Sequence, residues 1–262
     1  MRLKYACLIF AISSLGVFIG PRTLVAVSFS EHMQKARDFM SKGQFGSAVT
    51  ECQKALRSKR HSIEAQSWLG MAYEQLGDQL FNKGETDRAI EAYQNALASV
   101  PEDPYWHEQL GIALEKKGER EAAIKECRTA AELSPLDAGL QSMYEKLIRG
   151  PQGSVDENFR KAKMAERAEK VGGEVSAPRP IHKPDPAYSE RARQAKFQGT
   201  LVMWTVVDRE GNVTETTIVK PLGLGLDAKA LETIRTWKFQ PAMRNGTPVP
   251  VRVMIEVSFR LF

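Results

Sequence analysis

The chain has 262 residues, of which 42% are hydrophobic and 26% charged, with a formal net charge of +5. Such a composition excludes a disordered or low-complexity polymer and is enough for two or three folded units. The charge is unevenly placed: residues 29–150 carry 16 basic and 19 acidic groups, whereas residues 178–262 carry 13 and 8. The basic side chains of the second segment are dispersed, without a cluster or interleaved aromatic rings, which argues against nucleic acid as a partner.

At the start of the chain, Arg2 and Lys4 precede an apolar run over residues 5–20 that is closed by Pro21 and Arg22. A short basic start followed by an apolar run of this length reads as a secretory signal. Ala26 and Ser28, two residues apart, allow cleavage near Ser28. The alternative is an uncleaved anchor: the run is shorter than the roughly 20 residues of a spanning helix, but residues 24–29 extend it past Arg22. Residues 1–28 are therefore expected to be a signal peptide or an N-terminal membrane anchor. Both export the rest of the chain, either free or held by residues 5–29. Cys7 stands at the front of the apolar run, where a lipidated cysteine would not be.

A repeat with a period of roughly 34 residues occupies the next stretch. Leu76, Gly77, Gly84, Ala89, Tyr93, Ala96 and Pro101 recur one period later, at identical spacing, as Leu110, Gly111, Gly118, Ala123, Cys127, Ala130 and Pro135. Gly43, Ala48, Cys52 and Ala55 fit the same frame, displaced by seven further residues. Seven residues are nearly two helical turns, so the insertion lengthens one helix and keeps its buried face. These landmarks resemble the tetratricopeptide repeat (TPR), with a helix, a glycine turn, a second helix and a terminating proline. Three repeats and a closing helix carrying Leu140, Met143, Tyr144 and Leu147 are expected over residues 29–150. Stacked helix pairs form a concave groove suited to an unknown protein or peptide. Trp68, Tyr105 and Trp106 either line that groove or belong to the core. Cys52 and Cys127 share one repeat position and read as small buried apolar residues, not as a disulfide.

A linker is expected over residues 151–185, with a charged helix over residues 157–171, a break at Gly172 and Gly173, and prolines at 178, 180 and 184. Beyond it, residues 199–207 are apolar and rich in β-formers, and residues 208–211 supply a hairpin turn. Residues 213–219 form the return strand. Gly225 precedes a helix in which Leu226, Ala230, Ile234 and Trp237 make one apolar stripe. Asp227 stands near its start, where a carboxylate suits the helix dipole. A turn at Asn245 and Gly246 leads to a last strand in which Val251, Val253, Ile255, Val257, Phe259 and Leu261 share one face.

In order, Pro186, Tyr188, the Glu190-Arg191-Ala192-Arg193 run, Phe197 to Val202, Gly225-Leu226-Asp227, Arg235-Thr236-Trp237-Lys238-Phe239-Gln240-Pro241-Ala242 and the terminal strand resemble the C-terminal domain of TonB-family energy transducers. The expected architecture is thus α plus α+β: a TPR helical array followed by a small β-β-α-β TonB-like domain over residues 186–262. The resemblance implies an outer-membrane TonB-dependent receptor as partner and an inner-membrane motor complex behind it. Family transducers carry a histidine in the membrane helix, and residues 5–20 hold none. An exported adaptor that binds without transducing energy is the second reading. The expected contact is strand addition to Val251, Val253, Ile255, Val257 and Phe259, bordered by the extended residues Asp185, Pro186 and Tyr188.

Enzymatic chemistry finds no support in the sequence. His32, His61, His107 and His182 are isolated from cysteines and paired carboxylates. No serine sits in a nucleophile elbow, and the Gly223-Leu224-Gly225 run lacks the spacing of a phosphate-binding loop, so neither cofactor nor metal is expected.

Overall fold

The computed structural model describes residues 21–150 and 168–261. The apolar run over residues 5–20 lies outside the described residues, as does most of the helix expected over residues 157–171. No helix among the described residues is long and apolar enough to cross a membrane.

The first half is a stack of antiparallel helix pairs: α1 (Pro21–Ser41) with α2 (Phe45–Ser58), α3 (Ile63–Asn82) with α4 (Thr86–Ser99), and α5 (Pro104–Lys117) with α6 (Arg120–Leu133). A closing helix, α7 (Ala138–Arg149), follows, and its Leu140 and Leu147 are buried. The repeat period is visible in the packing. Gly77 lies under the Tyr93 ring, and its equivalent in the next unit, Gly111, lies under the Cys127 sulfur; a Cβ at either glycine would overlap that partner. Small residues here let paired helices approach closely. The inserted heptad appears as length, since α3 has 20 residues and α5 has 14. Ser62 caps α3 by accepting from the Ala65 N–H, and Asp103 caps α5 in the same way. Cys52 and Cys127 are free thiols, both buried, and burial pushes each up to about 12.

The second half is built on a sheet of order β1-β8-β3-β4. Its elements are β1 (Glu169–Lys170), β2 (Arg179–His182), α8 (Glu190–Gln194), β3 (Gly199–Val207), β4 (Val213–Lys220), α9 (Leu226–Ile234), β5 (Lys238–Gln240), β6 (Ala242–Arg244), β7 (Thr247–Val249) and β8 (Val251–Phe259). The expected antiparallel core of β3, β4 and β8 is present, with Leu226, Ala230, Ile234 and Trp237 of the helical stripe all buried. Asn245 and Gly246, with φ of 48° and 81°, make the tight turn between β6 and β7. Two strands come from the stretch expected to be linker. β1 pairs parallel with the start of β8, and β2 pairs antiparallel with β5. For β2 the cause is the Arg-x-Trp-Lys-Phe motif, which holds the incoming chain: Trp237 Nε1 donates to the Pro184 carbonyl at 3.0 Å, and Pro180 pairs with Phe239.

Asp227 does not cap its helix. Its two oxygens accept from the Leu222 and Gly223 N–H groups at 2.8 and 2.6 Å, folding the β4–α9 loop back on itself. Burial pushes this carboxyl up to about 7.

Gly211 ends the β3–β4 turn at φ 80°, with the Phe239 carbonyl oxygen where a Cβ would stand and its own carbonyl accepting from the Phe239 N–H at 2.8 Å. Gly211→Ala should therefore combine left-handed strain with a backbone clash and cost about 2–4 kcal/mol in chemical denaturation. An unchanged denaturation midpoint would contradict the close approach.

Candidate partner-binding edge and the seam between the two halves

Along a strand, the N–H and C=O of one residue point to the same side, and successive residues alternate. The Glu169 N–H donates to the Pro250 carbonyl at 2.8 Å, which fixes the outward set of β8. Pro250, Arg252, Met254, Glu256 and Ser258 turn their backbone groups away from β3. Val251, Val253, Ile255, Val257 and Phe259 turn theirs toward β3, which pairs with β8 along its whole length. On the outward side, β1 pairs only with Val251 and Arg252. Past that point, Gly172 and Gly173 turn the chain away, and Val175 bridges to Arg244 instead. The outward groups of Met254, Glu256 and Ser258 thus have no strand beside them among the described residues.

The side chains expected to form the site are placed mainly in the core. Val251, Ile255, Val257 and Phe259 are buried and Val253 is half-buried, so they shape the strand while their alternating neighbours face outward. Tyr188 packs edge-on against Phe259 at 5.6 Å and donates to the Phe197 carbonyl at 2.5 Å, anchoring the extended approach to the end of β8. Pro186 is half-buried and Asp185 is exposed. Met254, 52% exposed, lies beside Trp204 on the outer sheet face, where the Arg252 guanidinium sits 4.8 Å from the indole centroid.

The opposite edge of the sheet is occupied. Trp204 and Val206 pair with Thr217 and Glu215, so Ile218 directs its N–H outward, and Asp137 accepts it at 3.4 Å. Asp137 also caps α7 by accepting from the Gly139 N–H at 2.7 Å, and it accepts from the Tyr105 hydroxyl at 2.8 Å. Asp103, its equivalent in the preceding unit, has the same double role. One oxygen accepts from the Tyr105 and Trp106 N–H groups of α5, and the other accepts from the Leu224 N–H at 3.0 Å. Burial holds both carboxyls above the usual range, against the lowering effect of these donors. Trp68 on α3 completes the seam: its Nε1 donates to the Ala195 carbonyl at 2.9 Å and its ring meets Phe197 edge-on at 5.9 Å.

Of the three repeat aromatics, Tyr105 and Trp106 are core residues, each 4% exposed, and Trp68 faces the terminal domain. Asp103 and Asp137 were not singled out in the sequence. Asp103 before Pro104 is a legible helix start, proline being suited to the first helical position. The use of its second oxygen depends on a segment remote in the chain, around Leu224.

Residues 184–261 match the family of the Gram-negative bacterial TonB protein C-terminal domain, and residues 75–138 match the tetratricopeptide repeat. The terminal part of the chain is a TonB-type C-terminal domain, and it follows a TPR array. Protein TonB of Vibrio cholerae serotype O1 is 35% identical over 77 residues, covering 29% of this chain and 32% of the relative. Protein TonB of Xanthomonas campestris pv. campestris is likewise 35% identical over 77 residues, covering 29% and 34%. The chain thus spans about a third of the length of the curated relatives it matches. Among solved structures, MamA (residue 41 to its end) from Desulfovibrio magneticus RS-1 is 18% identical with a TM-score of 0.37, covering 53% of this chain and 75% of that one.

Glu74 on α3 lies one turn from Asp78, and burial together with the Asp78 charge pushes it up to about 8 from an ordinary 4.5. The folded protein thus keeps a proton that the unfolded chain releases near pH 4.5, so stability falls as pH rises from there to about 8. Glu74→Gln should match the wild type near pH 4 and exceed it by about 1–3 kcal/mol near pH 9 in urea unfolding. Equal stability of the two proteins at both pH values would show that Glu74 ionises freely.

Proposed function

We propose that this chain is a cell-envelope binding protein whose terminal domain takes an extended segment of an outer-membrane TonB-dependent receptor as an added strand on β8. The observation that carries the reading is the outward backbone of Met254, Glu256 and Ser258, beyond the point where β1 ends, which no strand covers among the described residues. An edge with alternating donors and acceptors offers main-chain hydrogen bonds to any extended segment, and flanking side chains select among them. Arg252, Glu256 and the Trp204–Met254 pair supply those flanking groups. The work is binding, not catalysis. In the fuller form of this reading, the chain also passes inner-membrane energy to the receptor through a motor complex.

A second reading, an exported adaptor that binds without transducing energy, is favoured by the absence of histidine from residues 5–20. Both readings use the same edge of the terminal domain. They differ in what lies behind it.

Because Glu256 turns its N–H outward, Glu256→Pro should remove one edge donor and place a ring in the partner's path, leaving the β3 pairing intact. Binding of an extended peptide from the receptor should weaken at least tenfold in fluorescence anisotropy, with little change in thermal midpoint. Ile255→Pro is a contrast: it removes a bond to β3 and should destabilise the domain itself. Wild-type affinity in Glu256→Pro would reject the edge.

A further inference from the structure

We infer that the repeat array is an edge guard for its own terminal domain: the N-terminal ends of its helices dock that domain and close β4 to strand pairing, leaving β8 as the open edge. The inference is independent of which partner β8 receives.

A three-stranded antiparallel core presents two edges. An uncovered edge pairs with any available strand, including one from a second copy. On one side of this sheet, β1 covers only the first two residues of β8. On the other side, the outward N–H of Ile218 meets Asp137, and Thr217 lies against Gly139, where a Cβ would stand 2.8 Å from its Cγ2. The closing helix α7 therefore stands where a fifth strand would have to enter beside β4.

The attachment repeats with the repeat. Asp103 and Asp137 occupy the same position in successive units, one full period apart. Each gives one oxygen to the first turn of its own helix and the other to a backbone N–H of the terminal domain, Leu224 or Ile218. The equivalent residue of the preceding unit is Ser62, which caps α3. Near that third helix start the seam is made by Trp68, through Ala195 and Phe197. The starts of α5 and α7 and Trp68 on α3 thus hold one domain through its backbone groups at Leu224, Ile218 and Ala195, and the Trp68–Phe197 ring contact adds a side-chain anchor. A groove kept for an outside peptide would leave such acceptors facing water. Here both aspartates are buried, at 2% and 1% exposure.

The carboxylate pairs allow the two roles to be separated. In Asp103→Asn and Asp137→Asn, the amide oxygen still accepts from the helix N–H groups, while the amide NH2 points at the Leu224 or Ile218 N–H, a donor facing a donor. In the full chain carrying both substitutions, hydrogen exchange at the Ile218 and Leu224 amides should accelerate at least tenfold, with Tyr105 and Gly139 unchanged. Thr217→Glu approaches the same seam from the terminal-domain side, placing a carboxylate beside Asp137 and Gly139 while leaving both capping aspartates in the sequence, and it should accelerate the same two amides. Both variants should also show steeper concentration-dependent self-association than the wild type in sedimentation velocity, through the uncovered β4. Unchanged exchange at Ile218 and Leu224 in Thr217→Glu overturns the docking, whatever the aspartate variants do. Faster exchange without increased self-association overturns the guarding role.

Discussion

The structure turns on a single chemical economy, a carboxylate whose two oxygens serve two parts of the chain. At Asp103 and Asp137 one oxygen completes a helix start, an interaction worth about 1 kcal/mol in helices generally. The other oxygen receives a main-chain donor of the terminal domain. Each group is buried, so removing only the second contact leaves the Asp103 oxygen with neither water nor a partner and the Asp137 oxygen with the Tyr105 hydroxyl alone. A buried polar atom in that condition costs more than the contact itself contributes. The two halves are therefore joined by the penalty for separating them as well as by the apolar seam around Trp68 and Phe197.

From this joint follows the asymmetry of the sheet. Docking uses the β4 edge and the loop that Asp227 folds, so the repeat array and the terminal domain share one boundary. The β8 edge is left with a short parallel companion, β1, which departs at Gly172 and Gly173. The residues that shape β8 and those that present its edge are different sets, because side-chain direction and hydrogen-bond direction both alternate along a strand. Val251, Ile255 and Val257 fasten the strand to the core. Met254, Glu256 and Ser258 carry the outward ladder groups, which meet no strand among the described residues.

Much of this was legible in the sequence, and the legible parts are local. The periodic recurrence of glycine and alanine, the seven-residue insertion, the hairpin before Gly211 and the stripe through Leu226, Ala230 and Ile234 each arise from contacts within a helix pair or between neighbouring strands. The strands β1 and β2 were not legible, because Glu169, Lys170 and residues 179–182 have no alternating apolar pattern. They become strands only because β8 and β5 offer edges and Trp237 holds Pro184. Asp227 was legible in part: it stands in the first turn of α9 as its position suggests, and only the folded loop brings the Leu222 and Gly223 N–H donors to it.

The sequence by itself determined the repeat array, the β-β-α-β core and the alternation of β8, since periodic burial is written directly into residue spacing. Only the tertiary structure decided which edge of the sheet stays open and what the repeat face touches. The physical reason is that an edge is defined by what lies beside it. Its occupant, Asp137 at Ile218 or β1 at Arg252, comes from a remote segment whose arrival no local pattern encodes.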